Sequence, residues 1–183
     1  MRYLLDKVTA RFIIQALSKL ADLRTPMPDE KIALDFFSEA LQRHTLFIVP
    51  SAENLLLRIR RNSRHATLID EFLERVQVAY PTKYHKRWSR RLRAYEFTRE
   101  DASVLGLGTF GEDAKILALG TFGEGTDDSM LGMHCVVTFD NGMINNWSKH
   151  QAAILEQLET MKRDLPKPYC YALLPRVLHP KDL

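Results

Sequence analysis

Short apolar runs alternate along this chain with longer segments whose apolar residues recur at helical spacing. The run Arg2-Tyr3-Leu4-Leu5 is followed by such a segment, and so is a second run at residues 45–49. A later run, at residues 134–139, precedes a helix predicted from about residue 146 to residue 163. Strands that alternate with helices favour a parallel sheet covered by helices on both faces. The predicted fold is therefore α/β, with a central parallel sheet of about four to five strands.

The length and composition favour one globular domain spanning residues 1–183. At 45% hydrophobic residues the chain can build a core of its own, and no apolar stretch approaches the roughly 20 residues that a membrane span needs. Asp6 and Lys7 interrupt the first apolar run, which argues against a signal peptide. We therefore expect a cytoplasmic protein that is not attached to a membrane, with Cys135 and Cys170 as reduced thiols. The aromatic run at 169–174 is predicted to form the last strand.

Four acidic residues are placed at the ends of predicted strands or in the first turns of predicted helices. Asp6 and Asp140 each close an apolar run, whereas Glu53 and Asp101 stand near helix starts. Each helix-start acid has a structural explanation of its own, because it can satisfy backbone N–H groups or the helix dipole. As a set they suggest a metal site, since strand ends and helix starts share one edge of a parallel sheet and clustered carboxylates hold hard divalent cations. Paired ions held in this way activate water in phosphodiester cleavage.

One segment of the chain is a tandem duplication. Residues 100–112 are matched by residues 112–124 at an offset of 12 (113 − 101), with three differences, so Asp113 is the sequence equivalent of Asp101. The first copy contains a G-x-G-x-x-G pattern from Gly106 to Gly111. A dinucleotide site needs a strand directly before this pattern, and here a capped helix start precedes it. Close packing of a helix on its neighbours is the favoured interpretation, and a nucleotide-binding enzyme stays as an alternative.

A basic stretch at residues 83–93 contains no acid, and its candidate RNA-binding residues are Lys86, Arg87, Arg90, Arg91 and Arg93. Tyr84 and Trp88 are interleaved with these cations and could stack on bases. A second basic cluster consists of Arg58, Arg60, Arg61 and Arg64. Such charge runs are often solvated helix faces, but like charges three and four residues apart repel each other. Contact with a polyanion is therefore the favoured interpretation.

The order of these acids resembles that of the PIN-domain nucleases, which include toxins of type II toxin–antitoxin pairs. In that family an aspartate closes the first strand, a glutamate lies early in a helix after the second strand, an aspartate opens a later helix and an aspartate closes the next strand. Asp6, Glu53, Asp101 and Asp140 stand in this order, within a match that spans roughly residues 2–147. The C-terminal helix and tail, residues 148–183, would lie outside this core.

The resemblance implies a three-layer PIN-like fold and an endoribonuclease that depends on Mg²⁺ or Mn²⁺. Asp6, Glu53, Asp101 and Asp140 would be its catalytic residues and metal ligands, with Asp113 as the duplicate alternative to Asp101. The basic residues would hold the RNA backbone. The resemblance also points to an antitoxin protein and a second copy of the chain as candidate partners.

Two departures from the family pattern define the alternatives. Lys7-Val8-Thr9 follow Asp6 where family members often have Thr or Ser and then Asn, which leaves Thr9 for the supporting polar role. The duplication leaves the third acid open: Asp113 has the family's spacing to Asp140 (140 − 113 = 27), whereas Asp101 has the better capped helix start and is the favoured choice. Both departures motivate an alternative function, a catalytically weakened PIN-like module that binds RNA or a partner protein.

Overall fold

The computed structural model describes residues 1–95, 97, 112–125 and 131–183. In these ranges the strands are β1 (Arg2–Leu5), β2 (Thr45–Ile48), β3 (Gln77–Val78), β4 (Tyr80–Pro81), β5 (Gly123–Glu124), β6 (Cys135–Val137) and β7 (Arg176–Leu178). The α-helices are α1 (Lys7–Ala21), α2 (Pro28–Arg43), α3 (Pro50–Arg61), α4 (Ala66–Arg75), α5 (His85–Leu92), α6 (Glu112–Phe122) and α7 (Asn141–Lys162). Asp101 and the pattern Gly106–Gly111 lie outside the described residues.

Five of the strands form one parallel sheet in the order β3-β2-β1-β6-β7. The prediction of an α/β fold with a parallel central sheet is therefore confirmed. β1 lies at the centre, and its apolar residues are buried because a parallel sheet is covered on both faces. β4 and β5 form a separate antiparallel pair. Within the described ranges, no helix combines the length and the apolar character that a membrane crossing requires.

Helices cover both faces of this sheet. Tyr3 packs edge-on against Phe36 of α2, with the ring centroids 5.6 Å apart. Val136 is aligned with Leu4, the next residue of β1, and successive side chains of a strand point to opposite faces. Val136 contacts α6 at Gly120, so α2 and α6 lie on opposite sides of the sheet. The arrangement is compatible with three layers, and its buried residues form a single hydrophobic core.

The second copy of the duplicated segment forms α6, a helix that is buried on nearly all sides. Its residues 116–122 are all buried, as expected of a helix that is apolar around its whole circumference. A Cβ added at Gly120 would lie 2.8 Å from Val136 Cγ2 and 2.8 Å from Pro175 Cγ, which is too close for any side chain. In this copy the small residue therefore serves close packing of the helix on the sheet, as the sequence predicts.

The prediction of a strand over residues 169–174 is wrong. Tyr169–Tyr171 is a short 3₁₀ helix, and the last strand of the sheet is β7. The backbone turns here because the N–H groups of Cys170 and Tyr171 donate to the carbonyls of Pro166 and Pro168. β7 takes the place of the predicted strand because its backbone pairs with β6, starting from the N–H of Arg176 to the carbonyl of His134 at 2.9 Å.

Candidate active site

An acidic pocket of about 150 Å³ opens at the carboxyl edge of the sheet, where β1 and β6 end side by side. Asp6 follows β1 directly, and Asp140 follows β6 after two intervening residues. Asp113 enters the same pocket from the first turn of α6. The pocket is lined by Asp6, Lys7, Val8, Glu112, Asp113, Ile116, Asp140 and Met143. Three aspartates from separate elements are thus brought together by folding.

Asp6 is the most deeply buried acid of this pocket, with 5% of its surface exposed. It caps the N-terminus of α1, where its Oδ1 accepts a hydrogen bond from the backbone N–H of Thr9 at 2.6 Å. Its Oδ2 accepts one from the hydroxyl of Thr138 at 2.6 Å. Burial raises the pKa of Asp6 above its ordinary value, and the hydrogen bonds from Thr138 and Thr9 offset part of that increase.

Thr138 connects the two strand-end acids. Its hydroxyl donates to Asp6 and at the same time accepts a hydrogen bond from the backbone N–H of Asp140 at 3.0 Å. The residue is completely buried, so this hydroxyl has no water to replace a lost partner. Thr138 was not identified from the sequence, because a threonine at the end of a strand is ordinary for its β-propensity alone.

Asp140 caps the N-terminus of α7. Its Oδ1 accepts hydrogen bonds from the backbone N–H groups of Gly142, at 2.8 Å, and Met143, at 3.1 Å. This cap starts the helix at Asn141, five residues before the predicted start near residue 146. The prediction placed the helix start too late because Asn and Gly are weak helix formers, whereas a capped first turn tolerates them.

The other two predicted acids have different outcomes. Asp113 lines the pocket, and Asp101 lies outside the described residues. Glu53 stands in the first turn of α3, after β2, and is not among the described residues that line the pocket. β2 lies on the side of β1 away from β6, and the pocket is on the β6 side. The convergence of Glu53 with Asp6 and Asp140 therefore stays a prediction, since Glu53 does not line this pocket.

A lysine and a glutamate also belong to the pocket. Lys7 Nζ lies 3.4 Å from Glu112 Oε2, and both side chains are largely buried, with 29% and 16% of their surfaces exposed. The ammonium group therefore brings a positive charge to a pocket with four acids. Within the described ranges, no three His, Cys, Asp or Glu side chains are grouped closely enough to hold a metal ion in this conformation.

The basic stretch forms α5 and the residue after it. Lys86, Arg87, Arg90 and Arg93 are exposed and are called the α5 basic surface below. Arg91 is partly buried, and its guanidinium donates to Gln157 Oε1 at 3.0 Å. The prediction that Trp88 stacks on bases is wrong, because Trp88 is completely buried and its indole N–H donates to Thr121 Oγ1.

Tyr84 and half of the second basic cluster, which were also predicted to contact RNA, have partners within the protein. Tyr84 packs edge-on against Tyr169, with the ring centroids 4.7 Å apart. In the second basic cluster Arg60 forms an ion pair with Asp70, and Arg64 forms one with Asp22. These pairs neutralise half of that cluster, so the α5 basic surface is the stronger candidate for contact with a polyanion.

Comparison with known proteins finds no match: no family model, no curated protein and no solved structure matches this chain. The function therefore has to be inferred from the acidic pocket and the α5 basic surface.

Proposed function

We propose that this protein is a PIN-like endoribonuclease whose acidic pocket works with a divalent cation, Mg²⁺ or Mn²⁺. The observation that carries the proposal is the convergence of Asp6, Asp113 and Asp140 on one pocket at the carboxyl edge of a parallel sheet. Ligand sites of open α/β sheets lie at this edge. Asp113 is our choice for the third acid, because it lines the same pocket as Asp6 and Asp140.

The residues of the pocket suit such a cation in the type of their donor atoms. Carboxylate oxygens are the ligands that Mg²⁺ and Mn²⁺ prefer, and Asp6, Asp113 and Asp140 would supply them. The carboxylates would first have to move closer together, because in the present conformation the described acids form no group of three metal ligands. When bound, the ion supplies an activated water and stabilises the leaving oxygen of the phosphodiester.

The surrounding residues would orient the acids and attract the substrate. Thr138 and Thr9 fix the carboxylate of Asp6 through two hydrogen bonds of 2.6 Å, which keeps the rotamer of a buried charge in place. The α5 basic surface would hold the RNA through its phosphates, which is a contact independent of base sequence. RNA binding and RNA cleavage would therefore depend on different residues.

A second function is favoured by a different observation. Lys7 places an ammonium group in the acidic pocket and pairs with Glu112. An ammonium group at this position can neutralise the carboxylates that would otherwise bind a metal ion. The alternative is a catalytically weakened PIN-like module that binds RNA or a protein without cleaving RNA.

Cleavage of a labelled single-stranded RNA by the purified protein separates the two functions. We expect cleavage with Mn²⁺ and none with EDTA. Asp113→Asn should slow cleavage by about a hundredfold or more, because loss of even an outer-shell partner of a metal ligand costs about 10–100-fold. Asp101→Asn is the matched control, because the duplication gives it the same local sequence, and it should stay within a few-fold of wild type.

Other results would change the assignment of the third acid or of the function. A reversed pattern, with Asp101→Asn inactive and Asp113→Asn active, would restore Asp101 as the third acid. Full activity of both variants would mean that the chemistry uses neither copy. If the wild-type protein binds RNA but cleaves none with any divalent ion, the nuclease proposal is wrong and the binding module is supported.

A further inference from the structure

A mostly apolar cavity of about 210 Å³ lies beside the acidic pocket. Its apolar walls include Val49, Pro81, Ile116 and Leu119. Its polar groups come from Ser51 in the first turn of α3 and from His85, Glu112 and Lys115. An apolar recess with a few polar groups is the usual form of a small-ligand site, and this one has room for a single ring system.

The cavity and the acidic pocket share one wall. Glu112 and Ile116 line both, and they are four residues apart on α6, so they lie on the same face of the helix one turn apart. A ligand that fills the cavity would therefore lie against Glu112, the residue directly before Asp113, at the border of the acidic pocket.

A positive charge lies in the wall of the cavity. His85, the first residue of α5, lines the cavity, and its Nε2 donates to the backbone carbonyl of Lys115 at 3.0 Å. Lys115 itself lines the cavity, and the negative charge of Glu112 in the same wall is paired with Lys7. The rest of the wall is mostly apolar. This combination fits a ligand with an apolar ring and a negatively charged backbone.

We infer that this cavity receives one unpaired nucleobase of the RNA strand whose phosphodiester lies at the acidic pocket. The inference rests on the proposed function and adds the site that would hold a base, which has to be unpaired to enter it. A base inside a duplex would first have to leave its stack and its pairing partner, which costs a few kcal/mol. The positive charge of Lys115 in the cavity wall favours this occupant over an apolar peptide, which carries no phosphates for it to bind.

The test blocks the cavity without touching the acids. Ser51→Phe places a ring at its partly exposed rim, Ser51→Ala leaves the cavity open, and Asn54→Phe adds the same ring at an exposed position of α3. Binding of a fluorescein-labelled single-stranded decaribonucleotide and of the corresponding RNA duplex is measured by anisotropy in EDTA. Circular dichroism melting shows that each variant is folded.

We expect Ser51→Phe to weaken single-strand binding about tenfold, within the range for losing one stacked base. Duplex binding should change less than about twofold, because phosphate contacts dominate it. Ser51→Ala and Asn54→Phe should behave as wild type. Unchanged single-strand affinity of folded Ser51→Phe would overturn the inference and leave the cavity to some other occupant, such as a protein segment.

A second measurement uses the wild-type protein and therefore does not depend on the folding of a variant. A series of decaribonucleotides, each lacking one base, should show an affinity loss of about tenfold at one register of the strand. Uniform affinity across the series would overturn the inference. Binding is measured in EDTA and cleavage separately with Mn²⁺, so the two proposals can fail independently. A base-dependent loss of affinity in a protein that cleaves no RNA with Mn²⁺ would refute the nuclease activity and retain the cavity, whereas cleavage with Mn²⁺ but no base dependence of binding would refute the cavity and retain the nuclease activity.

Discussion

The hydroxyl of Thr138 offers the sharpest test of how the acidic pocket is held together, through the substitution Thr138→Val. Valine keeps the shape of the side chain but removes the donor to Asp6 Oδ2 and the acceptor for the Asp140 N–H. A hydrogen bond to an ionised group contributes about 1.5–3 kcal/mol, and a neutral one about 1 kcal/mol. At pH 8 we therefore expect the free energy of unfolding to fall by about 3 kcal/mol. For a domain of this size that corresponds to a lower Tm by about 6–12 °C.

The effect should depend on pH in a defined direction. The folded-state pKa of Asp6 is raised by burial, so Asp6 contributes stability that is fully present below its ordinary pKa and is lost as the pH rises through the raised value. The Thr138 hydrogen bond lowers that pKa, and the valine variant should therefore lose more stability than wild type over the same interval. The destabilisation at pH 4 should be smaller than at pH 8 by about 1 kcal/mol or more.

The matched control is Thr121→Val. Thr121 is equally buried, and its hydroxyl accepts from the indole of Trp88 and donates to the carbonyl of Leu117, neither of which titrates near pH 4–8. Urea unfolding of both variants at pH 4 and pH 8 measures the difference. Equal destabilisation by Thr138→Val at the two pH values, as in the control, would refute the view that Thr138 stabilises the ionised form of Asp6.

Two further predictions concern the charges around the pocket. Lys7→Ala removes the ammonium paired with Glu112, so Mn²⁺ should raise the Tm of this variant more than that of wild type, while the exposed control Lys31→Ala should match wild type; an equal rise in all three proteins would mean that Lys7 does not oppose cation binding. The double variant Arg87→Ala/Arg90→Ala should flatten the salt dependence of single-stranded RNA binding by about 1.4 in slope, from about 0.7 per lost phosphate contact. An unchanged slope in anisotropy titrations would assign these arginines to a solvated face.

The strands that build the pocket could be predicted because their signals are local. The run Tyr3-Leu4-Leu5 is apolar without alternation, as expected for a strand buried on both faces, and the aspartate after it can cap the next helix. The same pattern precedes Asp140. Both acids meet because β1 and β6 are parallel neighbours, and a parallel arrangement is what the alternation of strands and helices favours.

The burial of Trp88 could also have been predicted from the spacing of apolar residues, although the basic residues around it suggested an exposed side chain. Tyr84, Trp88 and Leu92 are four residues apart, which is the spacing of one helix face. Trp88 and Leu92 are completely buried and Tyr84 is half-buried, while Lys86, Arg87 and Arg90 between them are exposed. The helical spacing of apolar residues is therefore a better guide to the burial of Trp88 than its position within a basic stretch.

The roles of Thr138 and Glu53 could not be predicted, because they depend on contacts distant in sequence. Thr138 and Asp6 are 132 residues apart in the sequence, so no local sequence pattern indicates that they form a hydrogen bond. Glu53 has the correct local setting, the first turn of a helix after a strand. Its position relative to the pocket depends on the order of strands in the sheet, which a single sequence does not specify.

Asp6 and Asp140 each cap a helix and also line the acidic pocket, so selection for folding acts on both residues. Loss of a capping side chain costs about 0.5–2 kcal/mol, so selection for folding alone would keep both aspartates in a descendant that no longer cleaved RNA. Asp113 lies within the first turn of α6, where the helix dipole favours an acid by about 0.3–1 kcal/mol. Among descendants without the proposed activity, position 113 would be the first of the three to change.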